Sequence, residues 1–509
     1  MSFRNPILPG FYPDPSVCRV GEDFYLVNSS FEYFPGVPLW HSRDLVNWRQ
    51  IAHVLDRRSQ LELGACKCSD GIYAPTLRHH RGVFYMITTL VVGGEYRNFY
   101  VTATDPAGPW SDPVFYDQNG IDPSLFFDDD GKVYFQSNRG MTFKMARAIY
   151  QSEIDLATGR RLTEPRVIWA GSGGCYVEGP HLYKRNGWYY LLTAEGGTAY
   201  GHMVAIGRSR SPWGPFEGCP HNPILSNRHA YEELHGTGHG DLVEASDGTW
   251  WMVHLAFRKT VDDIHTLGRE TCLAPVEWVD DWPVVNRTAT NSLLVSVPTL
   301  PAAPVPALPV RDDFDAPRLS LKWIHLRNPA PADYSLSERP GWLRLRGNAS
   351  TLDELAAPAF AGKRQRHFAF TAETRLEFSP TRDAEEAGVS LLMTNQHRYD
   401  FFVTLRGGRR VLVVRYVLEL IRHVATEIEL PPGDVDLRVS GTKLLCTFAC
   451  RQGDAPFRDL ASINTRYLGT EVTGGYNGVI LGLYATGGGA PASAPADFDW
   501  FDYLPSDAV

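Results

Sequence analysis

Residues 12–30 read YPDPSVCRVGEDFYLVNSS, and residues 120–138 read GIDPSLFFDDDGKVYFQSN. In each stretch, Asp-Pro-Ser is followed by an apolar run, a turn that contains a Gly, and a second apolar run that contains a Tyr. Apolar runs rich in β-branched and aromatic residues on either side of a Gly turn are typical of a β-hairpin. The chain therefore carries two copies of one hairpin, each led by an Asp.

Three more stretches repeat this hairpin, and they begin at Ala74, Glu178 and Gly238. The aromatic residues after the five turns are spaced by 60, 49, 56 and 61 residues. A repeat of this length made of strands is typical of a β-propeller, so residues 1–300 are predicted to form five blades. The alternative is a β-sandwich whose hairpins are alike by chance. The turn glycines are Gly21, Gly82, Gly131, Gly187 and Gly248, and the aromatic residues are Tyr25, Tyr85, Tyr134, Tyr190 and Trp251.

The residues that lead the five hairpins should lie close together, because the first strand of each propeller blade lines the central channel. Three of the five are acids, although Glu178 stands one place earlier relative to its Pro than the others do. Carboxylates that converge in a partly desolvated place repel each other, which favours a functional site. Taken singly, an Asp before Pro is also a common residue at the start of a turn. The leading residues are Asp14, Ala74, Asp122, Glu178 and His239.

Converging carboxyl groups can hydrolyse a glycosidic bond. One acid stays protonated and gives its proton to the leaving oxygen, while another is ionised and activates water. The surroundings must separate the two pKa values, and a third acid can do so by repulsion. We interpret Asp14 as the base, Glu178 as the acid and Asp122 as the residue that keeps the proton on the acid.

Four motifs resemble glycoside hydrolase family 43, the five-bladed β-xylosidases and α-L-arabinofuranosidases. They are NPILPGFYPDPSV with Asp14, GIDPSLFFDDDGKVY with Asp122, YVEGPHLYKRNGWYYLLTAEGGTAYGH with Glu178, and HTLGRET with Arg269. The resemblance implies hydrolysis with inversion at the anomeric carbon, and it implies that Arg269 contacts sugar hydroxyls beside the acids.

The same resemblance suggests further site residues. Phe31 stands where the family keeps an aromatic residue against the bound pentose, and Tyr73 stands where the family often has Trp. His239 corresponds to a residue that lies below the sugar or helps to hold a divalent cation, calcium, on the propeller axis. A buried structural histidine is the alternative for His239. We expect no cofactor to be required.

A second domain follows the proline-rich stretch VPTLPAAPVPALPV at residues 297–310, which reads as a stiff connector. Residues 311–509 alternate apolar and polar positions, which predicts a β-sandwich. This part resembles the concanavalin-like C-terminal domain of some family 43 xylosidases, in which a loop reaches the active site. Tyr476, in TGGYNGVILGLYATGGG, is the candidate tip of that loop. An ordinary hairpin aromatic is the alternative for Tyr476, and a carbohydrate-binding module is the alternative for the domain. A pocket capped by this loop would favour exo-action on short chains.

Composition excludes several other classes. The net charge is −9 without a stretch dense in Lys or Arg, so a nucleic-acid partner is not expected. The sequence has no run of 18 apolar residues, so no membrane span is predicted. The first residues lack the features of a signal peptide and the 8 Cys are sparse, which predicts a cytoplasmic protein with free thiols. The family likeness leaves a homo-oligomer open.

The sequence therefore predicts an all-β, inverting exo-glycosidase that releases xylose from the non-reducing end of β-1,4-xylo-oligosaccharides. α-L-Arabinofuranosidase activity, alone or as a second activity, is the close alternative, because both sugars present similar hydroxyls. A non-catalytic glycan-binding propeller is the rival from another class, but it would not need acids from three blades. A retaining propeller hydrolase or transferase also uses three acids, although EGPHLY favours family 43.

Overall fold

The computed structural model describes residues 2–139, 148–297 and 300–506, and almost all of their regular structure is β-strand. Helical residues in the described chain are confined to three short elements of the C-terminal half. No helix in these residues is long and apolar enough to cross a membrane. The helical elements are the 3-10 helices Pro331–Asp333 and Thr465–Leu468 and the α-helix Thr470–Thr473.

The described part of the N-terminal half forms five antiparallel sheets of four or five strands, one after another along the chain. The first contains Ser16–Val20, Asp23–Val27, Gly36–Ser42 and Arg49–Leu55. The second contains Gly71–Ile72, Thr76–His80, Val83–Val92, Glu95–Ala103 and Val114–Tyr116. The third contains Ile121–Phe127, Val133–Arg139, Ala148–Asp155, Arg160–Arg161 and Arg166–Trp169. The fourth contains Glu178–Arg185, Trp188–Glu195, Met203–Ser209 and Glu217–Gly218. The fifth contains Leu234–Glu244, Trp250–Arg258, Glu270–Val279 and Trp282–Val285.

All five hairpins expected from the sequence form, each as an antiparallel strand pair. Their turn glycines have φ between 62° and 84°, the left-handed region in which Gly is favoured. The leading strands of neighbouring sheets lie beside each other in a closed ring, the arrangement of a β-propeller. The five ring strands are Ser16–Val20, Thr76–His80, Ile121–Phe127, Glu178–Arg185 and Leu234–Glu244.

The N-terminus closes this ring by pairing with the last part of the propeller. Ser2–Arg4 forms a two-stranded sheet with Leu294–Ser296. The Asn5 amide donates to the carbonyl of Leu273 at 3.0 Å. The segment that precedes the first sheet is thereby joined by hydrogen bonds to the fifth sheet and to the strand that follows it.

The C-terminal half is a sandwich of two antiparallel sheets in the described residues. Inward-facing residues of both sheets, such as Phe370, Phe401 and Phe498, form one apolar core between them. One sheet contains Arg311–Asp312, Tyr334–Ser335, Leu343–Leu345, Ala496–Pro505, Phe370–Glu377, Val435–Gly441, Leu445–Arg451 and Arg458–Asn464. The other contains Ala359–Arg364, Ile480–Thr486, Glu386–Thr394, His397–Arg406, Arg409–Leu418 and Ile421–Glu429.

The two halves share both hydrogen bonds and an apolar cluster. His325–Leu326 of the second half pairs with Tyr33–Phe34 of the first. Phe11, Phe31 and Tyr33 of the propeller pack into one buried cluster with sandwich residues of the Ile480–Thr486 sheet. Phe31 itself faces the candidate site, so this cluster supports the site from behind.

Candidate active site

One pocket at the leading ends of the ring strands contains all the predicted site residues: Asp14, Phe31, Tyr73, Asp122, Glu178, His239, Arg269 and Tyr476. Its volume is about 140 Å³, roughly that of five water molecules in the liquid. Such a pocket suits one sugar ring rather than a polysaccharide chain.

The backbone places the acids in an unusual conformation. Asp14, Asp122 and His239 have φ of 52°, 55° and 48°, and Gly179 has φ of 57° at the corresponding position. Non-Gly residues seldom adopt this region, and such strain is concentrated at functional sites. Gly179 therefore corresponds to Asp14 and Asp122, and Glu178 reaches the pocket from one residue earlier, as its offset from the Pro suggested.

Asp14 is buried and held as a carboxylate. Arg269 donates to its Oδ1 at 2.7 Å, and the Ser29 hydroxyl donates to its Oδ2 at 2.6 Å. Burial alone would raise the pKa of Asp14, but the charge of Arg269, with His239 and Ser29, outweighs burial and holds that pKa below its usual value. These surroundings favour the ionised form of Asp14, as a general base requires.

Asp122 has the opposite electrostatic surroundings. Burial raises the pKa of Asp122 well above its usual value, and the carboxyl groups of Glu178 and Asp14 raise it further. The opposing contributions come from the Gly179 N–H, which donates to Asp122 Oδ2 at 3.1 Å, and from Arg269. Asp122 therefore holds a proton more readily than Asp14 does, because burial and the neighbouring carboxyl groups favour its neutral form.

Aromatic rings form one wall of the pocket. The rings of Phe31 and Tyr476 stack at 5.9 Å, and Tyr73 packs against both. The guanidinium of Arg269 lies 5.6 Å from the Phe31 ring and 5.4 Å from the Tyr476 ring. Tyr476 comes from the sandwich, so that domain supplies part of the wall of the propeller's pocket.

The loop that carries Tyr476 is fixed by a buried polar cluster. The Asn477 amide donates to Glu32 Oε1 at 2.6 Å, and the Ser69 N–H donates to Glu32 Oε2 at 3.0 Å. Ser69 Oγ accepts from the Tyr476 N–H at 2.9 Å and donates to Asn477 Oδ1 at 3.2 Å. We call Glu32, Ser69 and Asn477 the loop clamp, since two propeller residues hold one sandwich residue next to the pocket.

A second polar layer lies below the acids and joins all the ring strands. Arg78 donates to both oxygens of Asp241, at 2.8 and 3.2 Å, and contacts His181 Nδ1 at 2.9 Å. Ser16 donates to Asp241 at 2.7 Å, and Ser124 lies 3.2 Å from His181 Nδ1. These five residues come one from each leading strand, and we call them the axial network.

His239 lies beside the acids on the propeller axis. Its Nδ1 lies 4.0 Å from Asp122 Oδ2, and burial, together with the charge of Arg269, outweighs the charge of Asp14 and lowers the pKa of His239. In the described part of the chain, no three His, Cys, Asp or Glu side chains are grouped as a metal ion requires. The calcium expected from the resemblance stays a prediction, and no step proposed below depends on it.

Sequence reasoning did not single out three polar residues that also line the pocket: Asn138, Tyr176 and Thr198. The Thr198 hydroxyl accepts from Arg269 at 3.0 Å, and Asn138 donates to the carbonyl of Val177 next to Glu178. Tyr176 is 40% exposed and has φ of 56°. Tyr176 and Thr198 stand in the stretch quoted around Glu178, so a search around that acid would have included them.

Comparison with known proteins agrees with this geometry. Residues 3–283 match the model of glycosyl hydrolases family 43, and residues 311–504 match the beta xylosidase C-terminal concanavalin A-like domain. The chain therefore belongs to glycosyl hydrolases family 43 and is a glycoside hydrolase, built as a β-propeller followed by a concanavalin-like sandwich.

Individual relatives resemble the whole chain. A non-reducing end alpha-L-arabinofuranosidase of Bacteroides ovatus is 44% identical, with 99% of this chain and 94% of the relative covered. A xylosidase/arabinosidase of Butyrivibrio fibrisolvens is 38% identical over 98% of both chains. The crystal structure of a xylan beta-1,4-xylosidase from Bacillus halodurans is 35% identical and covers 99% of this chain and 100% of its own, with a TM-score of 0.94.

Proposed function

We propose that the chain is an inverting exo-glycosidase that releases xylose from the non-reducing end of β-1,4-xylo-oligosaccharides. The observation that carries the proposal is that the surroundings of two acids in one small pocket shift their pKa values in opposite directions. Asp14 is paired with a guanidinium, which favours its ionised form, whereas burial and the carboxyl groups of Glu178 and Asp14 favour the neutral form of Asp122. An inverting glycosidase needs this combination of one base and one acid.

In this mechanism Asp14 accepts a proton from a water molecule that attacks the anomeric carbon. Glu178 donates its proton to the glycosidic oxygen as the bond to the leaving sugar breaks. Asp122 keeps that proton on Glu178 by repulsion until the transition state needs it. Arg269 orients Asp14 and, from its position over Phe31 and Tyr476, can bind sugar hydroxyls.

The architecture supports exo-action. We infer that the five sheets are five blades within residues 1–300, because their leading strands close a ring, and that residues 311–509 form the accessory domain. With Tyr476 in the wall and space for one sugar ring, the pocket accepts a chain end and excludes the middle of a polymer. A small oligosaccharide is then the partner; a cytoplasmic location, a homo-oligomer and the absence of a required cofactor stay predictions.

A second candidate activity is removal of terminal α-L-arabinofuranose. The 44% identical relative carries that activity in its name. The two sugars differ little around the anomeric carbon, and a methylene-sized difference in a pocket changes selectivity by only about 1–3 kcal/mol. Both activities use the same acids, so the choice between them does not alter the mechanism.

The test is proton NMR of the sugar released from xylobiose, with an aryl α-L-arabinofuranoside in parallel. Initial appearance of α-xylose from the β-linked substrate is the expected result. Initial β-xylose would indicate retention and overturn the roles given to Asp14 and Glu178. Release from the arabinoside alone would keep the mechanism and change the substrate, and release from neither would favour a glycan-binding protein.

A further inference from the structure

A second, larger cavity lies between the propeller and the sandwich. Its volume is about 690 Å³, and it shares no lining residue with the catalytic pocket. The propeller contributes Tyr12 and Trp40, the connector contributes residues 305–309, and the sandwich contributes Lys322 and Arg364. We call this cavity the interdomain cleft.

Arg364 is the unusual residue of the interdomain cleft. It is only 3% exposed, and none of its three guanidinium nitrogens has a hydrogen-bond partner in the described residues. Of the other deeply buried arginines in the described residues, Arg258, Arg269 and Arg398 each bind a carboxylate, at 2.8, 2.7 and 3.1 Å respectively. Arg327 donates to two backbone carbonyls, each at 2.7 Å. A buried guanidinium with neither an anion nor a carbonyl as partner is strongly unfavourable, so Arg364 points to a ligand that supplies an anion.

Basic side chains outnumber acidic ones in the interdomain cleft. Six basic and three acidic side chains line it. Of the acids, Asp312 already accepts from Trp323 Nε1 at 2.7 Å and lies 3.5 Å from Lys363. Burial, with the charges of Arg366 and Arg364, holds the pKa of Lys322 well below its usual value. A bound anion would offset this excess of positive charge.

The walls also suit an organic anion. The Lys322 ammonium lies 3.8 Å from the centre of the Trp40 ring, and the Arg364 guanidinium lies 4.7 Å from the Tyr12 ring. These contacts fix the two cations against aromatic faces and leave their hydrogen-bond donors for another molecule. A planar guanidinium matches the two oxygens of a carboxylate or a phosphate group.

We propose that the interdomain cleft binds a compact oxyanion through Arg364 and Lys322, either the carboxylate of an acidic sugar or a free phosphate. The ligand would bridge the two domains, because Arg364 and Lys322 belong to the sandwich while the aromatic faces belong to the propeller. The proposal is independent of the hydrolytic activity, since the catalytic acids line a different pocket.

The test is thermal unfolding of the full-length chain with sodium glucuronate, inorganic phosphate or neutral glucose, at constant ionic strength set with sodium chloride. Binding to the folded state alone raises the unfolding temperature in a saturable way. We expect a saturable rise with at least one anion and none with glucose. Glucuronate acting at lower concentration than phosphate would identify an acidic sugar, and the reverse would identify free phosphate.

Three variants test the assignment: Arg364→Met, Lys322→Met and the control Arg287→Met, whose side chain is 80% exposed. Arg364→Met should unfold at the same or a higher temperature without anion, because it removes an uncompensated buried charge, and it should lose the response to anions. Lys322→Met should weaken the response, and it tests the site separately if Arg364→Met does not fold. No response in the wild type, or an equal response in all the variants, would overturn the proposal.

Discussion

Asp14 is the residue on which the proposed chemistry depends most directly. We expect Asp14→Asn to reduce kcat/KM by about 10²–10⁴-fold, because a general base contributes about that much. The variant should keep its fold, since Asn tolerates the positive φ of this position better than most residues. Steady-state kinetics and thermal unfolding would measure the two effects. Asp454→Asn, an exposed position on the sandwich, is the control, and near-normal activity of Asp14→Asn would contradict the assignment.

The pH profile tests whether Asp122 keeps a proton on Glu178. The pKa of Asp14 is held low, so the acidic limb of kcat/KM should fall below the usual range of an Asp. In the proposed mechanism, the alkaline limb should follow loss of the proton that Glu178 donates. Asp122→Asn removes the repulsion, so Glu178 should lose its proton more readily and the alkaline limb should move to lower pH. An alkaline limb that does not move would show that Asp122 does not tune the acid.

The residue scale is also where sequence reasoning came closest to the structure. The turn glycines and the three acids were readable because Gly, Asp and Pro each have strong local preferences, and those preferences repeat in every hairpin. Asn138, Thr198 and Tyr176 carry no such repeat, since each contacts the site from a different sheet or loop. Their roles depend on distances between strands, and a single sequence does not encode those as a local pattern.

The loop of Tyr476 is the element that links the sandwich to the candidate active site. Asn477→Ala removes the donor to the buried Glu32, and an unsatisfied buried acceptor costs about 1–3 kcal/mol. We therefore expect a lower free energy of unfolding and a lower kcat/KM, because Tyr476 is no longer held against Phe31. Denaturant unfolding and kinetics would measure both, with the exposed Gln396→Ala as the control. Unchanged values of both quantities would mean that the loop clamp does not position Tyr476.

Sequence reasoning identified the loop but not the loop clamp. The glycines around Tyr476 marked a turn with an aromatic tip, and the family likeness suggested its destination. The clamp joins residues 32, 69 and 477, and nothing in the local composition around Glu32 distinguishes a buried carboxylate from an exposed one. Such contacts between distant parts of the chain became evident only in the structure.

The axial network is a property of the whole propeller, since it takes one residue from every leading strand. Burial alone would raise the pKa of Asp241, but Arg78 outweighs burial and holds it below its usual value. We expect Arg78→Met to lower the free energy of unfolding by about 3–5 kcal/mol, because it leaves Asp241 as a buried charge without its partner. Urea unfolding would measure the loss, with Arg287→Met as the control. A loss no larger than that of the control would mean that the axial network does not stabilise the ring.

Removal of residues 311–509 tests whether the propeller depends on the sandwich for its solubility and its activity. The remaining propeller would lack Tyr476 and would expose the apolar cluster around Phe11, Phe31 and Tyr33. We expect this shortened chain to aggregate and to hydrolyse aryl xylosides more slowly than full-length Tyr476→Ala, which loses the ring alone. Light scattering and kinetics at matched concentrations would distinguish the two effects. A monomeric, fully active propeller would contradict a role of the sandwich in the site.

The contribution of Tyr476 to the pocket has a consequence for synthesis in the cell. The acids are translated early, but their aromatic wall arrives only near the end of the chain. At about 5–20 residues per second, the interval between the end of the propeller and this loop lasts roughly 10–35 s. During that time the nascent propeller holds its three acids in an open site and its apolar face uncovered. A ribosome that pauses within the sandwich would prolong the lifetime of an inactive intermediate that is prone to aggregate. Codon usage after residue 311 should therefore affect the yield of protein more than codon usage before it.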